Sequence, residues 1–207
     1  MDVLEHEPDL LTRQRTKGSL AFEAAWRALP RNGIVPDRRD LSLHKFKKFM
    51  PDMALIDILP GMPARSRICV VGECIRERLP FPPVGQDYFQ FLPVQLRAIA
   101  AQRLKAIVSQ PCGIWQVLGI HYQRDVFKSI ELTGFPLFRE NGPPQIMGVI
   151  LYSQGQVSDI PGDVAMISLD RATATAFLDI GAGVPVWPPV DNQTALPAAK
   201  NGFRAMP

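Results

Sequence analysis

The stretch GIWQVLGIHYQRDVFKSIELTGFPLFRENGPPQIMGVILY, residues 113–152, holds three β-prone runs in succession: Gly113 to Tyr122, Val126 to Phe138 and Gln145 to Tyr152. Trp, Val, Ile, Phe and Tyr fill these runs, and such side chains suit a pleated, packed surface. Between the last two lies Glu140-Asn141-Gly142-Pro143. Asn and Gly tolerate the positive φ of a tight connection, so the spacing predicts an antiparallel meander.

Upstream, Leu96, Ile99, Leu104, Ile107 and Val108 recur at helical spacing opposite Gln95, Arg97, Gln102 and Lys105, and Pro111 closes that helix. Before it come a Pro-rich loop over 80–85 and one helical turn over Cys74 to Leu79. Met53 to Leu59 and Arg67 to Val71 read as a hairpin around Pro60-Gly61. A helix with Phe22, Ala25, Trp26 and Leu29 on one face starts at Ser19 as N-cap, and a short helix after Asp40 or Ser42 turns Leu43, Phe46 and Phe49 inward. Two strands, helices, then three strands predict an α+β fold. Downstream, Leu169 to Leu178 is a helix candidate between Gly/Pro-rich segments. The expected organisation is a mobile arm over 1–18, a domain over 19–153 and a partly disordered C-terminal extension over 154–207.

With 207 residues, of which 46% are hydrophobic and 21% charged, the chain is long and apolar enough to bury a core. Lys+Arg 23 against Asp+Glu 20 leaves +3, too small a surplus to make nucleic acid the default partner. Cys69, Cys74 and Cys112 are an odd number and do not read as a disulfide framework. No apolar run approaches the ~18 residues of a membrane span, and the acidic start MDVLEHEPDLL is unlike a secretory signal. The expectation is a cytoplasmic protein with no membrane partner.

Sequence signatures of nucleotide cradles and nucleophile elbows are missing: there is no GxGxxG, GxxxxGK[ST] or GxSxG. His6, His44 and His121 are scattered, and the cysteines lack the spacing of a zinc site, so no catalytic or metal residue is nominated. Arg27-Ala-Leu-Pro-Arg31 followed by Asp40-Leu-Ser42 resembles the RxxxR and DxSxxG pair of PilZ domains, but Lys45 stands where that pattern needs glycine. Glu131 is expected in a structural salt bridge, with Arg67 as one partner.

Trp26-Arg-Ala-Leu29, Pro36-Asp-Arg38-Arg39-Asp40, Met50-Pro51 and Leu55-Ile-Asp57 stand in an order that resembles the opening of a bacterial PAS-like family of stand-alone alphaproteobacterial proteins. Arg67-Ile-Cys-Val-Val-Gly72 and Glu131-Leu-Thr-Gly-Phe-Pro136-Leu137 are similar to that family's second and fourth strands. The resemblance covers residues 20–153. It implies a five-stranded antiparallel sheet with helices across one face. It also implies sensing or regulation through protein contacts, with a small ligand in the sheet–helix cavity as a candidate control.

On that reading the chain is not an enzyme, and its partner is another protein or a second copy. Candidate pocket residues are Ile56, Cys69, Trp115, Val117, His121, Phe127 and Met147, because alternating strand positions aim such groups at one face. Phe22 and Trp26 are the candidate partner interface. The cofactor is unknown. Two alternatives remain: an enzyme using Cys69, His121 or Glu131 in the same cavity, and a structural dimerisation module.

Overall fold

The structure, a computed structural model, describes residues 15–61, 65–79, 81–152 and 164–186. The first helix, α1 (Lys17–Arg27), opens at Thr16, whose side chain accepts from Ser19 N and so satisfies one of the free amides of the first turn. The helix therefore starts before the predicted Ser19, and the expected arm ends earlier; residues 1–14 lie outside the described residues. Ser19, Phe22 and Trp26 form its buried stripe. Short 3₁₀ turns follow at Arg38–Asp40, Leu43–Phe46 and Met50–Asp52. Phe46 and Phe49 turn inward as expected, whereas Leu43 is exposed.

Strands β1 (Met53–Leu59) and β2 (Arg65–Val71) form the predicted hairpin pair. Gly72 ends it where no other residue fits, since a Cβ there would sit 2.1 Å from the Met50 carbonyl oxygen. The turn α2 (Glu73–Arg76) and the long helix α3 (Val94–Ser109) precede β3 (Cys112–Tyr122), β4 (Phe127–Leu137) and β5 (Gln145–Tyr152). The fold is α+β, and every ladder in its sheet is antiparallel.

The sheet has seven strands, not five. Its order is β2-β1-β5-β4-β3, and β3's outer edge carries both β6 (Met166–Leu169) and β7 (Ala174–Asp179). These two strands replace the helix expected over Leu169 to Leu178. Ala, Leu and Phe suggested a helix from local preference, but Ala174, Ala176 and Leu178 alternate with Thr175 and Phe177, and the open edge of β3 supplies backbone partners for that alternation. Part of the expected C-terminal extension is thus sheet; 153–163 and 187–207 lie outside the described residues.

Helical segments cover both faces instead of one. Phe22 and Trp26 of α1, with Phe46 and Phe49, pack on Met53, Leu55, Phe135, Met147 and Val149. On the other face α3 sets Ile107 against Ile58, Ile114 and Ile146, while Phe89, Leu92 and Ala101 meet Leu118, Ile120 and Ile130. The physical reason is visible in β3 and β5, whose near-continuous apolar runs leave no polar face for water. Among the described residues, no helix is long and apolar enough to cross a membrane.

Candidate functional site

Asp57 interrupts an otherwise apolar strand between Ile56 and Ile58, and its residue is completely buried. A carboxylate in that position must be paired. The register supplies its partners, because residues directly opposite in adjacent strands share a face: Arg67 of β2 lies on one side and Gln145 of β5 on the other. Arg67 Nη2 donates to Asp57 Oδ2 at 2.6 Å. Gln145 Nε2 and Arg139 Nη1 donate to Oδ1 at 2.6 and 3.2 Å. Burial pushes the Asp57 carboxyl up, but the hydrogen bonds from Arg67, Gln145 and Cys69 and the Arg139 charge outweigh it, holding the pKa below the ordinary range.

Arg38 joins this group through the backbone. Arg38 N donates to Phe138 O at 2.8 Å and Phe138 N donates to Pro36 O at 3.0 Å, a one-residue parallel bridge that sets Arg38 beside Arg139. The Asp37 carboxylate fixes the turn by accepting from Arg39 N at 2.8 Å, and Arg39 also pairs with Glu140 at 3.0 Å. Arg38, Arg67 and Arg139, with Asp57 and Gln145, line a cleft of about 500 Å³ whose other wall is Ile68, Cys69, Val84 and Gly85. Among the described residues, the Arg38 guanidinium has no acceptor, and the buried Gln145 Oε1 has no donor.

Cys69 is the one predicted pocket residue in this cleft. Burial, followed by the Asp57 carboxylate beside it, pushes its thiol up, so it is not a ready nucleophile. The other six are dispersed. Ile56 packs on the α3 side with Ile58 and Ile146, and Met147 is fully buried beneath α1. Trp115 and Val117 pack on Ala174 of β7. His121 is half-exposed, with Nε2 2.8 Å from Asp170 Oδ2 and its ring 5.0 Å from the exposed Phe127. Strand alternation selects a face, but it does not gather residues along that face into one cavity.

Phe22 and Trp26 are corrected outright: both are 0% exposed and belong to the core, not to a partner interface. Trp26 stacks on Phe135 with centroids 4.8 Å apart and donates from Nε1 to Pro136 O at 3.1 Å. Glu131 does not meet Arg67, which Asp57 occupies. Instead its buried carboxylate accepts from Thr16 N at 3.1 Å, from the Thr16 hydroxyl and from Trp115 Nε1. It thereby holds the N-terminus of α1, where the helix dipole favours negative charge.

Among the described residues, no group of three or more His, Cys, Asp or Glu side chains converges to hold a metal ion. No protein-family model matches the chain, and no curated protein does either.

Proposed function

We propose that this protein is a cytoplasmic PAS-like sensory or regulatory module that acts through protein contacts under the control of a small ligand held in the Asp57 cleft. The observation that carries the reading is the cleft itself: a buried carboxylate is used to fix two guanidinium groups, beside a third that has no partner among the described residues. Such a lining recognises a ligand through charge and hydrogen bonds. Supporting the PAS-like part are the antiparallel core β2-β1-β5-β4-β3 and the ordered motifs around Trp26, Asp57, Arg67 and Glu131. Supporting binding over turnover are the raised Cys69 thiol and the engagement of Asp57 with its arginines. His121 lies outside the cleft lining.

The test is to incubate the purified protein with the metabolite pool of its own host and separate bound from free compounds. A retained compound returned chemically unchanged is the expected result. Conversion of a pool member that stops in an Arg67→Ala variant overturns the reading in favour of an enzyme.

A further inference from the structure

We infer that the cleft is selective for a compact organic dianion, a phosphomonoester or dicarboxylate with a short apolar stem; this rests on the ligand-binding reading above. Charge is the first argument. The lining carries three arginines and one carboxylate, Arg38, Arg67 and Arg139 against Asp57, which leaves two positive charges uncompensated within it. Because Asp57 is held ionised by its partners, the balance of three minus one persists through neutral pH.

Donor geometry is the second argument. Asp57 engages Nη2 of Arg67 and Nη1 of Arg139, each through one nitrogen, so each guanidinium retains further N–H groups of its five. Arg38 contributes a whole fork, because among the described residues it meets no acceptor. Arginine forks match the paired oxygens of carboxylates and phosphoryl groups.

The walls decide the rest of the ligand. The exposed Val84 gives an apolar side. The loop carrying Val84 is already seated, since Gly85 N donates to Ile68 O at 2.8 Å and Ile68 N to Gln86 O at 2.9 Å. Gly85 makes this turn at φ +88°, a conformation that side chains with a Cβ resist. Among the described residues the lining holds no aromatic ring, so a nucleobase has nothing to stack on. The cleft is broad and open to solvent, so it suits a ligand held by its charge and not by enclosure.

Calorimetry of the full chain with butyl phosphate, succinate, acetate and butanol tests the assignment. Butyl phosphate or succinate is expected to bind at least about tenfold tighter than acetate, with affinity falling as salt rises. An Arg38→Gln variant is expected to lose about tenfold or more in affinity for the dianion while its melting temperature stays unchanged. Equal binding of acetate and dianions, or an Arg38→Gln variant with wild-type affinity, overturns the inference. If the metabolite-pool experiment retains a neutral compound while both dianions fail, the charge argument falls and the module reading stands. If neither experiment finds a bound compound, both fall.

Discussion

Replacing Asp57 by Asn keeps the volume of a fully buried side chain and removes its charge, so it isolates what the carboxylate contributes. Three donors lose their anionic acceptor: Arg67, Gln145 and Arg139. Stripping one partner from a wholly buried ion pair costs about 3–5 kcal/mol. Here the two arginine side chains are 51% and 33% exposed and recover water, so that figure is too large. The part that water cannot repair is the new side-chain NH₂ group: the substituted amide keeps one acceptor oxygen, so its NH₂ must face either Arg67 or the Gln145 amide, which is 4% exposed. With a buried unsatisfied group costing about 1–3 kcal/mol, Asp57→Asn is expected to lose about 2 kcal/mol at neutral pH, or about 4–8 °C in melting temperature.

The pH dependence provides the sharper test. The folded-state pKa of Asp57 lies below its unfolded value, so its stabilisation is complete above the unfolded pKa of about 3.9 and is lost as pH falls through the folded pKa. Urea denaturation of wild type and variant, measured in steps from pH 7 to pH 2, is expected to show a constant gap down to about pH 4 that then closes. A gap that is absent at pH 7, or that persists undiminished well below pH 3, refutes the account of Asp57 as an ionised, partnered carboxylate.

Trp26→Ala removes a fully buried ring stacked on Phe135 and is expected to cost about 3–5 kcal/mol in denaturant titrations; a loss below about 1 kcal/mol would mean that α1 does not cover this face. Glu131→Leu leaves Trp115 Nε1 and Thr16 N without their acceptor, so amide exchange in the first turn of α1 should accelerate, and unchanged exchange there would remove Glu131 as its anchor. Arg103 on α3 is 9% exposed with no acceptor for Nε among the described residues, and burial, then the like charge of Arg171, push its pKa down. Arg103→Leu is therefore expected to be neutral or stabilising by about 1–2 kcal/mol, and a destabilisation of similar size counts against this placement. Burial, with Asp179 nearby, pushes the Cys112 thiol up to about 11, so alkylation at pH 8 should proceed only at the rate of unfolding; rapid labelling of the native protein would contradict that burial.

The three-strand meander and the first hairpin were legible because apolar and aromatic runs end at strong turn residues, and local chemistry decides both. The edge strands β6 and β7 were not, since Ala174-Thr175-Ala176 carries little preference until β3 offers an edge to pair with. Phe22 and Trp26 show a different limit. Helical spacing told which residues share a face, but what covers that face is Phe46, Phe49 and Phe135, brought from elsewhere in the chain. For the cleft, Asp57 was legible only as part of a motif and Arg67 was expected to meet Glu131; an acid between two isoleucines, with an arginine opposite it in a hairpin, is the signal that would have paired them. Arg139 and Gln145 lie 82 and 88 residues away in sequence, and Arg38 arrives through a single bridge at Phe138, so no local pattern announced them.

The position of Asp57 explains why a charged cleft is compatible with a stable fold. At the β1 end carrying Asp57, the sheet face that α1 covers elsewhere passes to polar neighbours, and the carboxylate is fully buried against Arg67, Arg139 and Gln145. Its desolvation costs free energy, and its partners offset that cost. What remains is a set of guanidinium groups held in place before any ligand arrives, which reduces the ordering entropy lost on binding. Arg38 is different, since only its backbone is tethered, and its segment runs on through Leu41 and Phe46 to the aromatic cluster beneath α1. On the proposed reading, a dianion that drew Arg38 toward Arg67 and Arg139 would act on the segment that packs on α1. By mass action it also stabilises whichever arrangement of that segment binds it better, and that differential affinity bounds how far α1 can respond.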